Sequence, residues 1–225
     1  MVLRLLILSF LLQGLATSQD ISLRGRVNVI HQSKNATGSA NVVVWLTPTF
    51  TAHSDAPVSL PRLSQKDKKF SPHVIAIRVG TEVEFPNQDP FFHDVFSIYR
   101  GKPFDLGLYE SGTSRKVRFT QPGVSYIFCN IHPEMSAAVV AVPTPYFTVT
   151  SADGSFQIGH LSRGHYKVSV WYELSSPSEL DSVSREIDIN DEAGPIQIDL
   201  HSSDVASLHL NKYGQDYPAE KSKSY

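Results

Sequence analysis

Cys129, His132 and Met135 follow one another at offsets of three in the segment Cys129-Asn130-Ile131-His132-Pro133-Glu134-Met135. A thiolate, an imidazole and a thioether make a soft donor set, which suits copper in its two oxidation states. Pro133 restricts both itself and His132, so a tight loop can turn the three side chains toward one point. Such a site needs a second histidine, and His93 is the best candidate, at the end of the loop Asn87-Gln88-Asp89-Pro90-Phe91-Phe92-His93. Two histidines and one cysteine with a long axial methionine is the arrangement of an electron-transfer copper site. Each residue alone is weak evidence: a lone cysteine often packs as a small hydrophobe, and a methionine fills core. The joint pattern is stronger, because Cys129 is the single cysteine and Met135 one of only two methionines, the other being Met1.

These residues need strands to hold them. The apolar run 124–128 leads into Cys129, and the run 137–142 leaves after Met135, so the three side chains sit on a strand-to-strand loop. Further strand patterns cover 21–30, 42–46, 73–79, 81–85, 95–99, 115–120, 146–150, 156–161, 166–172, 184–189 and 196–200. Asp153-Gly154 and Arg163-Gly164 punctuate them as turns. Many short strands with no long segment of helical period predict an all-β sandwich or barrel. Residues 53–69 read as a linker or loop, and 203–225 as a polar, extended tail.

The chain has 225 residues, 41% hydrophobic and 19% charged, which is enough for a real core in one large or two small domains. Lys plus Arg is 20 against Asp plus Glu 22, which argues against nucleic acid or an anionic membrane as main partner. One cysteine excludes an internal disulfide, a many-cysteine zinc site and a binuclear copper centre. Residues 1–18 have the layout of a secretory signal peptide: Arg4, an apolar 5–12, and small Ala16 and Ser18 before a cut at Gln19. The apolar stretch is too short for a spanning helix, which needs about 20 residues. The expected location is therefore secreted or periplasmic, with no membrane span in the mature form. A lone thiol exported to an oxidising compartment must be buried, modified or metal-bound.

The stretches FSPHVIAIRVGTEVEFPNQDPFFHDVF and GVSYIFCNIHPEM followed by SAAVVAV resemble the cupredoxins, the blue type 1 copper proteins, over roughly residues 68–143. The Cys-x2-His-x2-Met spacing is like that of amicyanin, with a shorter loop than plastocyanin. The FPN-x-D and CNIH pieces, with TPYF after them, resemble plastocyanin-like proteins of the methylamine-utilisation type. The resemblance implies a Greek-key β-sandwich with one type 1 copper ion held by His93, Cys129, His132 and Met135. It also implies a histidine near the surface in an apolar patch, which Pro90, Phe91, Phe92 and Pro133 could supply for a redox protein partner. Those relatives often carry a second histidine after the first, where this chain has Asp94.

The segment YFTVTSADGSFQIGHLSRGHYKVSVW resembles carboxypeptidase-regulatory-like and Cna-B-like sandwiches, which are prealbumin-like and carry no catalytic chemistry. The pattern GRV…NVVVWLTP looks like their opening strands. The expected organisation is a signal peptide at 1–18, a discontinuous sandwich of 19–60 and 144–202, a cupredoxin domain at 61–143, and the tail. His160 and His165 flank a turn and read as hairpin surface; His31, His53, His73, His201 and His209 read as structural or solvated. Asn35-Ala36-Thr37 matches a glycosylation acceptor. No nucleophile elbow, HExxH motif or phosphate loop is present, so no enzyme is expected. A multicopper oxidase or nitrite reductase would need further His-rich motifs. The classes left open are an exported electron carrier, a copper chaperone or resistance protein, and a carbohydrate-binding or adhesion module.

Overall fold

The computed structural model describes residues 21–32, 38–51, 60–98, 101–190, 193–203 and 209–217. The leader 1–18 and the tripeptide Asn35-Ala36-Thr37 lie outside them. No helix among the described residues is long and apolar enough to cross a membrane.

The protein is all-β with one short helix among the described residues. The chain opens with β1 (Ile21–His31) and β2 (Val43–Pro48). It then builds nine strands: β3 (Ser64–Lys66), β4 (Lys69–Ser71), β5 (Val74–Arg78), β6 (Glu82–Pro86), β7 (His93–Ser97), β8 (Phe104–Tyr109), β9 (Ser114–Arg118), β10 (Gly123–Cys129) and β11 (Ser136–Val142). It closes with β12 (Phe147–Val149), β13 (Ser155–Leu161), β14 (Gly164–Trp171), α1 (Pro177–Ser182), β15 (Arg185–Ile189) and β16 (Ile196–Ser202).

The first two strands find their partners at the far end of the chain. β1 lies between β13, antiparallel, and β16, parallel; β2 lies between β12 and β14, both antiparallel. These two sheets, β13-β1-β16 and β12-β2-β14-β15, face each other across a core of Leu23, Val27, Val44, Leu46, Tyr166, Val168 and Leu200. The nine intervening strands form a second unit. Its main sheet runs β5-β11-β10-β7-β8, and opposite it β6 pairs with β9 and is bridged to the hairpin β3-β4. Leu63, Phe85, Val95, Phe119, Ile127, Ala137 and Val139 fill the space between, together with Cys129 and Met135.

A strand with one wet face alternates apolar and polar residues, whereas one buried on both faces reads as a continuous apolar run. β11 is of the second kind. Ala137, Val139 and Ala141 point into the core beside Cys129, while Ala138, Val140 and Val142 point outward against Val43 and Trp171 of the other unit. The run Val42 to Leu46 does the same from its side, with Val42, Val44 and Leu46 inward and Val43 outward. The two units therefore share a packed third layer. The His73 Nε2 to Glu173 Oε2 ion pair, at 2.6 Å, ties its edge.

Two sequence expectations fail here for identifiable reasons. Residues 53–69 do not all form a loop, because 64–66 and 69–71 form a hairpin whose turn residues Asp67 and Lys68 both have positive φ (55° and 53°). Without glycine or asparagine the usual hairpin signal is absent. The tail is not extended throughout either: its described part, 209–217, turns at 212–215 and packs onto the second unit, with Asn211 buried.

Candidate metal centre

β10 delivers Cys129 as its last residue, and the pairing Cys129 to Val95 places it beside β7, whose first residue is His93. The loop 130–135 then folds back on itself through Met135 N–H donating to His132 O at 3.1 Å. The result brings three of the four expected residues to one point. Cys129 Sγ lies 3.6 Å from His93 Nδ1 and 3.4 Å from His132 Nδ1, and one ligand atom of each residue falls within 4.8 Å of the others. The two imidazole rings are 4.9 Å apart. Met135 is fully buried in the same core cluster as Cys129. His73, His165 and His201 pair with Glu173, Asp188 and Glu179, and His209 meets Pro133 O.

The spacing fits a shared ion. A sulfur and a nitrogen bonded to one metal at about 2.3 and about 2.0 Å, at an angle near tetrahedral, stand about 3.5 Å apart. The protonation chemistry fits as well. Burial pushes the Cys129 thiol up, only partly offset by N–H groups near it, so the metal-free site holds a neutral SH. Burial, aided by His93 alongside, pushes His132 down and keeps its imidazole neutral and able to bind metal.

The loop before His93 is held by residues whose roles sequence reasoning missed. Asn87 Nδ2 donates to Phe91 O at 2.8 Å, and Asn87 Oδ1 accepts from Asp89 N–H at 3.0 Å. Asp89 Oδ2 lies 2.9 Å from His93 Nε2, with both residues buried. With Nδ1 of His93 facing the sulfur, Nε2 is the proton-bearing nitrogen, and it donates to the carboxylate. Asp89 also accepts from the N–H groups of Asp67 and Lys68, so the turn of the β3-β4 hairpin backs the site. Burial works against the Asp89 charge, but these three donors outweigh it and hold its pKa below the usual carboxylate range. A carboxylate behind a ligating histidine fixes its tautomer and raises its basicity. The four-residue spacing from Asp89 to His93 was the available signal. Asp94, where relatives often have histidine, pairs instead with Lys212 at 2.9 Å and accepts from Asn130 Nδ2 at 3.1 Å.

The surface around His132 carries both apolar and charged side chains, Glu134 and Lys68 among the charged ones. His132 is half-buried, Phe91 packs edge-on to His93 and tilted to His132 with centroids 5.4 Å from each, and Phe92 and Ile131 are 50% and 45% exposed. Phe92 and Phe91 are therefore not buried away from His132.

No protein-family model matches this chain, and the search of curated proteins finds no match. Solved structures do resemble part of it. A copper-containing nitrite reductase from Thermus scotoductus aligns at 27% identity and a TM-score of 0.36, covering 43% of this chain and 25% of that one. A purple cupredoxin from Nitrosopumilus maritimus aligns at 24% identity and a TM-score of 0.34, covering 36% and 99%. Amicyanin from Paracoccus versutus aligns at 21% identity and a TM-score of 0.34, covering 43% and 97%. The chain thus spans a quarter of the nitrite reductase's length, while the two smaller proteins each align over less than half of this chain.

Proposed function

We propose that this chain is an exported mononuclear copper protein that carries single electrons, with His93, Cys129 and His132 as strong ligands and Met135 as the weak one. The observation that carries the reading is the convergence of the only cysteine with two histidines inside a dry β-sandwich. Bound copper would supply the one-electron couple. The chain's own residues do the rest. Cys129 gives up its proton to bind as thiolate. His93 is held in one tautomer by Asp89, so it presents Nδ1 without rearranging. Met135, Val95 and Ile127 exclude water. His132 offers its partly exposed edge, beside Phe91 and flanked in the chain by Ile131 and Pro133, as the contact for a redox partner; a small apolar surface of this kind suits brief docking. Export is supported by the sequence pattern of residues 1–18, and a carrier by a donor set of one thiolate and two imidazoles, which suits a one-electron copper couple.

The visible spectrum of the chain from residue 19, loaded with Cu(II), tests the reading. Intense thiolate-to-copper absorption that disappears in Cys129→Ala is expected. A colourless protein that holds only Cu(I) would point to a copper chaperone instead, and failure to bind copper at all would overturn both.

A further inference from the structure

Residues 209–217 lie across the end of the sandwich that carries the metal centre, and they touch the ligand-bearing segment residue by residue. The His209 ring stacks on Phe128 with centroids 4.0 Å apart. The Tyr217 hydroxyl donates to Cys129 O at 2.9 Å. Lys212 N–H donates to Asn130 Oδ1 at 3.1 Å. His209 Nε2 meets Pro133 O at 2.8 Å. Lys212 Nζ reaches across to Asp94 at 2.9 Å and Asp105 at 3.0 Å, so one ammonium binds β7 and β8 as well. The segment is itself organised: Asn211 Oδ1 accepts from the N–H groups of Tyr213 and Gln215. Lys212 and Asp94 keep only 15% and 8% of their side chains exposed. Two charges sequestered to this degree belong to a specific fit, since unpaired they would be expensive.

We propose that residues 209–217 are a clamp belonging to the metal centre, in which Lys212 ties β7 and β8 through its ammonium and Asn130, next after β10, through its backbone N–H, and Tyr217 acts as a positioning residue on Cys129 through its carbonyl. The inference rests on the copper reading for its electronic part only. A phenol donating to the Cys129 carbonyl draws electron density away from the residue that supplies the thiolate, which favours the reduced ion. The lock keeps the loop 130–135 from opening, so the sulfur stays shielded whether or not metal is bound.

The test uses the chain from residue 19 to 225 and the variants Lys212→Met, His209→Ala and Tyr217→Phe, with Tyr213→Phe as control, since that ring is 71% exposed. Cys129 is the single cysteine, so alkylation of the metal-free protein by iodoacetamide reads the opening of the loop directly. The rate is expected to rise at least tenfold in Lys212→Met and severalfold in His209→Ala, under conditions where far-ultraviolet circular dichroism shows the fold intact. In the copper-loaded protein, Tyr217→Phe is expected to lower the reduction potential and shift the thiolate charge-transfer band, while Tyr213→Phe leaves both where they are. Unchanged alkylation in Lys212→Met would overturn the lock, and an unchanged potential and band in Tyr217→Phe would overturn the role of Tyr217. A parent protein with no charge-transfer band overturns the copper reading instead, and the alkylation rates then decide the clamp alone.

Discussion

Replacing Asp89 by alanine tests whether the carboxylate behind His93 is part of the metal centre or only of the fold. The truncation removes the acceptor for His93 Nε2, whose ring is fully buried, and leaves that N–H without a partner. A buried orphan donor costs about 1–3 kcal/mol. The N–H groups of Asp67 and Lys68 lose a charged acceptor too, but their turn is open enough for water to replace it, so each adds at most about 1 kcal/mol. The metal-free protein is therefore expected to lose about 1–5 kcal/mol in urea unfolding followed by tryptophan fluorescence. His93 would also lose its fixed tautomer, and removing such a partner weakens metal binding about 10–100-fold. Competition for Cu(I) against a colorimetric chelator measures that loss. Asp89→Asn keeps an acceptor oxygen without the charge and is expected to fall between parent and Asp89→Ala in both assays. An Asp89→Ala protein with unchanged urea midpoint and a Cu(I) dissociation constant within twofold of the parent would refute the reasoning.

Trp171 sits in the layer between the two units with Val43, Val140 and Val142, so Trp171→Ala is expected to cost about 3–5 kcal/mol, measured by urea unfolding. Gly154 has φ +80° and an added Cβ would lie 2.0 Å from Val27 O; Gly154→Ala is expected to destabilise by more than about 3 kcal/mol, with a lowered thermal midpoint as the check. The hydrogen bond to Glu173 raises the His73 pKa despite the opposing effect of burial. Its stabilisation is thus fully present below the ordinary histidine value of about 6.5 and is lost as pH rises through the higher folded value. Because both side chains are about a third exposed, the effect is at most about 1 kcal/mol. Urea midpoints at pH 6 and pH 9 should converge between parent and His73→Asn at the higher pH; a constant gap would exclude the ion pair as its source.

Much of the candidate metal site was legible because the residues proposed as its ligands differ chemically from their surroundings. A lone cysteine, a proline-stiffened loop and a methionine six residues on leave few alternatives, and the structure brings Cys129, His132 and His93 together. What supports them was not legible, because hydrogen-bond partners carry no periodicity. Asp89 stood out only as part of the FPN-x-D piece, with nothing to say that it would back His93, and Lys212 looked like any surface lysine until the fold placed it against two carboxylates. β8 went unnoticed because Asp105 and Gly107 break its alternation, yet β7 recruits it as an edge partner. The runs Val42 to Leu46 and Ser136–Val142 were legible as strands, but their lack of alternation also encoded the contact between units, and that meaning needs the partner face to be known.

The position of β1 and β2 has a consequence for how the molecule comes into being. Their partners β12 to β16 emerge only after the nine strands of the second unit, and β1 pairs with a strand whose residues lie some 171 positions later. The inner unit is continuous in sequence and can close as soon as β11 has appeared, whereas the outer one must hold two apolar strands in waiting, a long-range topology that slows folding. A chain threaded through a membrane from its N-terminus would assemble from the inside outward. β1 and β2 would then find their partners last, while residues 209–217 could settle on the second unit, which is already closed by the time they emerge.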